Sequence, residues 1–450
     1  MTPRARTLVT SLALASALAS APWAAASLPP WLDPDDVPLP AGVRTAVPKK
    51  DELFVFLEPS RSPVRRGTIP FGSRAFIFGT KRGPGCVGRW LLVGPLGWAC
   101  SDQALFSDEP PEAAPLLAKL EEPGAAAASG EARGGDGLPY RYYFVTGQGA
   151  FAWDRIERVA DDAPDQELEP GFAIAAVEER TAFGERYIKT SKGRFVPLRD
   201  LAPAHPSGFS GEHLAAGAGL DFGWVVVDRA TVRATPSAAG KALGSRVRFE
   251  RVEVRELRGK GVAAWARVSK DGEAEAWLPA RELARPSASP RPTTVGDDER
   301  WIDVELASQT LVAYAGDRPL FATLVSTGRG PQGSETATPR GEHRVWVKLA
   351  TSTMDNLERR DDLSHAGSED GDPHVYSLDD VPYVQFFDKA VALHGVFWHR
   401  NFGRVQSHGC VNLSPKDARF LFSITLPRLP RGWSAALPVA SEPGTLVRVR

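Results

Sequence analysis

Ser407, His408, Gly409 and Cys410 stand in a row, and sixteen residues upstream of the cysteine His394 precedes Gly395. A thiol with an unperturbed pKa of about 8.5 is a weak nucleophile at neutral pH, and a nearby imidazole lowers that value and stabilises the thiolate as an ion pair. His394 is the candidate base and Cys410 the candidate nucleophile. The chain has three cysteines in all. Cys86 and Cys100 bracket one short β-rich stretch, CVGRWLLVGPLGWAC, which can fold back as a hairpin and close a disulfide in an oxidising compartment. Cys410 is then the odd one, either an intermolecular bridge or a free thiol with chemistry to do.

The oxidising compartment is inferred from the N-terminus. Arg4 and Arg6, the apolar run LVTSLALASALAS and Ala24-Ala25-Ala26 before Ser27 read as a signal peptide over residues 1–26, and hence as export to the periplasm or cell wall. An uncleaved membrane anchor is the alternative reading of that stretch.

Around the candidate pair, Gly409 permits close backbone approach, so that amides near Cys410 can face a developing oxyanion. His408 is a candidate second proton carrier or loop-fixing residue, and Asn412 offers an amide to substrate or backbone. Ser407 is a structural or substrate-contacting hydroxyl rather than the nucleophile, because the thiol beside it is far more reactive. Trp398 is a candidate wall of a substrate groove, and Arg404 and Tyr383 are candidate contacts to a charged peptide. His394, His399, His408 and Cys410 are all zinc-ligand types, but no CxxC or HExxH pair accompanies them, so no metal is expected.

These side chains need strands to carry them. WIDVELASQTLVAYAGDRPLFATLVSTG alternates apolar and polar residues about a Gly-Asp turn and reads as a hairpin; GEHRVWVKLA continues as another strand. VPYVQFFDKAVALHG is a second hairpin, turning at Asp388-Lys389 and delivering His394 to a strand end. After the loop VFWHRNFGRVQ, the sequence Ser414-Pro415-Lys416-Asp417 is a helix start, with serine as N-cap and proline in the first helical position. Cys410 is therefore expected on a short extended segment just before a helix.

With these motifs assembled, residues 299–450 resemble the L,D-transpeptidase (YkuD) catalytic domain: His394-Gly395, the SHGCVN motif, VSTGRG, TPRGEH and the closing GTLVRV strand. The resemblance implies a β-sandwich in which Cys410 attacks the carbonyl before the terminal D-Ala of a peptidoglycan stem tetrapeptide. A diaminopimelate-type amine then takes the acyl group to make a 3-3 cross-link. It also implies covalent inhibition by a β-lactam, a carbapenem in particular, and no cofactor. Water or a protein amine as acceptor would make the same site an L,D-carboxypeptidase or a protein-anchoring enzyme; a wall-binding scaffold with an inert domain is the rival from another class. A charged insertion at 355–374 falls where the family carries a variable flap.

The remaining chain is read as accessory. Balanced charge, 54 Lys plus Arg against 55 Asp plus Glu, gives no long-range attraction to nucleic acid. Stretches 109–139 and 286–298 read as linkers. Residues 51–108, 140–204 and 221–285 share short alternating strands, glycine turns and closing leucine turns. They resemble bacterial SH3-like modules, the middle one divergent, which would bind cell wall or act as spacers. The overall expectation is a mainly β protein of small barrels followed by the sandwich.

Overall fold

The computed structural model describes residues 38–60, 64–114, 137–161, 163–357 and 376–450. The stretch read as a signal peptide, most of the first linker and nearly all of the charged insertion lie outside the described residues. What is described is mainly β, and the α-helix that bears on the site is Pro415–Ile424.

Residues from Arg300 onward form two facing sheets. Arg300–Glu305, Thr310–Ala315 and Arg318–Leu324 run antiparallel, and the closing strand Leu446–Val449 lies parallel to the first of them and antiparallel to Gly341–Arg344. The expected single hairpin about Gly316-Asp317 is thus three strands, because a further turn at 306–309 divides its first arm. The second sheet is built on Val347–Asp355, Ser377–Asp388 and Val391–Gly395, antiparallel in that order. GEHRVWVKLA divides between the two sheets: Gly341–Arg344 pairs in one and Val347–Asp355 in the other, with Val345 buried at the crossing.

Alternation along these strands fills the space between. Ile302, Val304, Leu311 and Phe321 meet Tyr383, Phe387, Leu393, Val411 and Leu413, and the helix adds Ala418, Leu421 and Phe422. Ser414 caps the helix by accepting from the Asp417 N–H at 3.3 Å. Asp417 is itself buried, accepting from the Gly211 N–H and the Thr323 hydroxyl, and burial raises its carboxyl pKa.

The preceding segments are β units packed onto this sandwich. Cys86 and Cys100 are bonded to each other in the first, across the base of the hairpin Trp90–Gly94 and Gly97–Cys100. Ala435–Ala436, from the C-terminal region, pairs with Gly67–Thr68 on one side and Lys348–Leu349 on the other, joining the first unit's sheet to the second sheet of the sandwich. Trp433 enters the first unit's core among Leu53, Val55, Ile69 and Leu91. The middle unit joins the same sheet where Ala173 pairs with Leu378. The stretch 286–298 is not a free tether: Ser287 and Ser289 hydrogen-bond Glu305 and Asp303, and Val295 is buried, so the stretch lies along the first strand of the sandwich.

Candidate active site

Two short parallel strands set the geometry. Val411–Leu413 pairs in register with Val391–Gly395, matching Leu393 with Val411 and His394 with Asn412. Side chains alternate along a strand, so Leu393, Val411 and Leu413 point into the core while Ala392, His394, Cys410 and Asn412 share the opposite face. Strands about 4.8 Å apart with two residues rising about 6.6 Å make His394 and Cys410 diagonal neighbours on that face. Trp398 unites them: its ring stacks on His394 at 5.8 Å between centroids, and it packs with Cys410 against Val381, Val384 and Ala392.

The protonation pattern follows from the partners. His394 Nδ1 lies 3.1 Å from the Gly395 carbonyl, which can only accept, so Nδ1 carries the proton and Nε2 is bare. The ring is 2% exposed, and burial pushes its pKa down to about 4 against the pull of that backbone hydrogen bond. Cys410 is partly exposed at its surface, with Sγ 3.9 Å from the Ala390 carbonyl. Desolvation pushes its thiol up, opposed by a backbone hydrogen bond from Ala392. These shifts have the opposite sense to the ion pair expected from sequence: burial favours a neutral thiol beside a neutral imidazole, and a bare Nε2 can accept a proton during reaction.

Gly409 sits at φ +126°, where a side chain is strained, and an added Cβ would stand 3.3 Å from the Ala337 carbonyl. Its amide does not face a substrate oxyanion: it donates to Ser407 Oγ at 3.1 Å, and the Ser407 hydroxyl in turn donates to the Cys410 carbonyl. Ser407 thus braces the cysteine loop. His408 points out of the loop, taking a hydrogen bond from Arg329 at 2.5 Å and stacking on Tyr376.

The three other expected substrate contacts each meet a partner within the protein. The amide of Asn412 lies 2.8 Å from His399 Nε2. Tyr383 is buried in the sandwich core, its hydroxyl donating to the Gly137 carbonyl, because the alternation that buries Phe387 buries it too. Arg404 reaches away from the site to the Val226 carbonyl. The zinc-ligand types do not converge either, since His408 is engaged with Arg329 and His399 with Asn412 and the Asn401 amide.

His399 is the residue that sequence reading undervalued. It stands beside Asn412, and burial first and His394 second push its pKa down to about 4. Its position five residues after His394 carried no periodic signal, because the intervening chain is a loop.

A thiol and a bare imidazole nitrogen on one face of a β-sandwich, before a capped helix, define the site. Residues 299–449 match the YkuD family, the L,D-transpeptidase catalytic domain, and the C-terminal third of the chain is therefore a domain of that family. No curated protein matches the chain. Among solved structures it is similar to an L,D-transpeptidase from Stackebrandtia nassauensis, at 24% identity over 35% of this chain and 58% of that one with a TM-score of 0.21. The chain thus spans less than two thirds of that protein. It is also similar to the L,D-transpeptidase LdtMt1, solved in complex with imipenem, at 20% identity over 40% of this chain and 76% of that one, TM-score 0.25. An L,D-transpeptidase from Mycobacterium smegmatis aligns at 18% identity over 54% of this chain and all (100%) of its own, TM-score 0.26.

A neutral buried His394 has a consequence for stability. Its folded pKa is below its unfolded value of about 6.5, so its contribution is complete above that value and is lost as pH falls towards 4. The cost reaches about 3 kcal/mol at the acid end, from 1.36 kcal/mol per pKa unit. Asp417, raised by burial, acts in the opposite sense, its contribution falling as pH rises above the unfolded carboxyl value of about 3.9. Urea unfolding at stepped pH should therefore show wild type losing stability between pH 6.5 and 4 relative to His394→Gln; parallel curves would show that His394 is not neutral in the fold.

Proposed function

We propose that this chain is an exported peptidoglycan L,D-transpeptidase that works through a thioester on Cys410. The observation that carries the reading is the tautomer of His394, whose proton is committed to Gly395 and whose Nε2 is left bare on the face it shares with Cys410.

In the first half-reaction Nε2 takes the thiol proton as Sγ attacks the carbonyl between the third residue of a stem tetrapeptide and the terminal D-Ala. The neutral starting pair makes this concerted general-base attack rather than attack by a stored thiolate. With the Gly409 amide committed to Ser407, the N–H of Cys410 itself is the donor this reading assigns to the developing oxyanion. The tetrahedral adduct collapses, the His394 proton passes to the departing D-Ala amine, and the thioester remains. An amine from a neighbouring stem, of diaminopimelate type, then attacks; His394 takes its proton and returns it to sulfur as the 3-3 amide forms.

The acceptor decides among activities of the same site. Incubating the full chain with a defined tetrapeptide and reading products by mass should give cross-linked dimers with loss of D-Ala. Tripeptide alone would make the chain an L,D-carboxypeptidase, conjugates to a supplied protein amine would make it an anchoring enzyme, and unchanged substrate would favour an inert wall-binding scaffold. The SH3-like reading of the three leading units, and their role in wall attachment, belong to this proposal; retention on sacculi by a Cys410→Ala variant tests them separately.

A further inference from the structure

The sixteen-residue interval from His394 to Cys410 carries both candidate reactive groups at its ends, and most of it is loop. Long loops move unless something holds them. Here the holding groups come from outside the catalytic domain, on two sides.

On one side stands Tyr142 of the middle unit. It is buried, and its ring stacks on Phe397 at 3.8 Å between centroids with planes 15° apart. Phe397 in turn meets Trp398 edge to face at 5.0 Å, and Trp398 is the ring lying on His394. The Tyr142 hydroxyl donates to the Asp380 carbonyl at 2.6 Å. Asp380 is held again by the Ser191 and Thr351 hydroxyls, one from each domain, so the tyrosine is fixed at its polar end as well.

On the other side stands the third unit. Arg248 donates to the carbonyls of Val226 and Phe402 at once, and Arg404 of the loop donates to the same Val226 carbonyl. Phe402 is buried against Phe209 and Phe249. Gly403 lies so close to Val226 that an added Cβ would come within 2.4 Å of it. Between the two grips, Arg400 donates twice to the His205 carbonyl in the chain joining the units.

We infer that the middle and third units are positioning parts of the active site: they clamp the 396–406 loop, and through Phe397 and Trp398 the Tyr142 contact fixes the orientation of His394 against Cys410. Tyr142 is a positioning residue, since it touches neither reacting group. The inference rests on the proposed Cys410 chemistry for its kinetic arm only.

Two readouts separate positioning from folding. The first is alkylation of Cys410 by iodoacetamide across pH, which depends on the thiol and its imidazole and requires no natural substrate. The second is kcat against KM with a stem tetrapeptide. In full-length protein Tyr142→Ala should lower kcat about tenfold or more with KM little changed, and should shift the alkylation profile. Tyr142→Phe, which keeps the stack, should recover most of both. Ile188→Val, a change in the core of the middle unit away from the loop, should move neither. Arg400→Met, at an exposed position, covers the case in which Tyr142→Ala does not fold, and should lower the alkylation rate about threefold.

A folded Tyr142→Ala with wild-type alkylation and kcat would overturn the inference, as would Ile188→Val matching its effect, or Arg400→Met reacting as wild type. Absence of any product from wild-type protein would count against the proposed function instead, and the alkylation series would still decide the clamp.

Discussion

Cys410→Ala should abolish turnover, His394→Ala should lower it by about 10²-fold to 10⁴-fold, and the double variant should be scarcely worse than Cys410→Ala alone, as expected of two groups that act as one unit. The same pair should set the response to a carbapenem. The strained amide of the drug presents a carbonyl to Sγ, so intact-protein mass should rise by one drug molecule, on the peptide containing SHGCVNLSPK. Burial sets the pH dependence. With His394 held down to about 4, the base stays neutral and competent well into acid, so the acid limb of acylation should fall near pH 4 rather than near 6.5. With the thiol pushed up, no stored thiolate supplies reactivity at neutral pH; His394→Ala should therefore acylate slowly there and recover partly in strong base. An adduct on Ser407, or labelling undiminished by Cys410→Ala, would remove the mechanism.

The second large effect is structural. Trp433→Ala should destabilise the protein by about 3–5 kcal/mol, the cost of emptying a large aromatic site in a core that cannot collapse onto it. The first unit cannot close that space, because Gly67, Gly94 and Gly97 line it and the ring occupies the volume their side chains would need. At Gly97 an added Cβ would lie 2.6 Å from the Trp433 ring and 3.0 Å from Val55. Gly97→Ala should therefore be costly in wild type and much less costly in a Trp433→Ala background, a coupling measurable by urea unfolding of the two single variants and the double. Additive effects would mean that Trp433 does not fill this core.

How much of this was legible depends on the range of the contact. The helix start was local: Ser414 and Pro415 announce a cap in four consecutive residues, and the cap is there. The strand that ends at His394 and the segment that follows Cys410 were readable from alternation, and their pairing brings the two residues to one face. The proton on His394 was not readable, since it depends on which carbonyl the ring meets and how deeply it is buried. Tyr383 looked like a polar handle and is a core residue, because a period of two cannot say which face of a strand is covered. Arg404, Asn412 and Gly409 looked like donors for a substrate, and in the fold they meet Val226, His399 and Ser407. The contacts of Tyr142 and Trp433 lie beyond sequence reading, joining residues hundreds of positions apart.

The shared strand Ala435–Ala436 and the tryptophan beside it also bear on the order in which the chain can fold. Arg66 bonds the Leu437 carbonyl and Glu442, so partners separated by more than 370 residues complete the first unit. Until residues 433–442 are available, the first unit has an open sheet edge and an unfilled core. Folding of the first unit to completion is therefore expected to follow the arrival of that segment rather than precede it, and closing contacts this distant in sequence is expected to be slow. A ribosome-stalled or C-terminally truncated chain lacking the segment from Leu426 would expose that edge to other chains, so loss of a short tail should cost solubility far upstream of the cut.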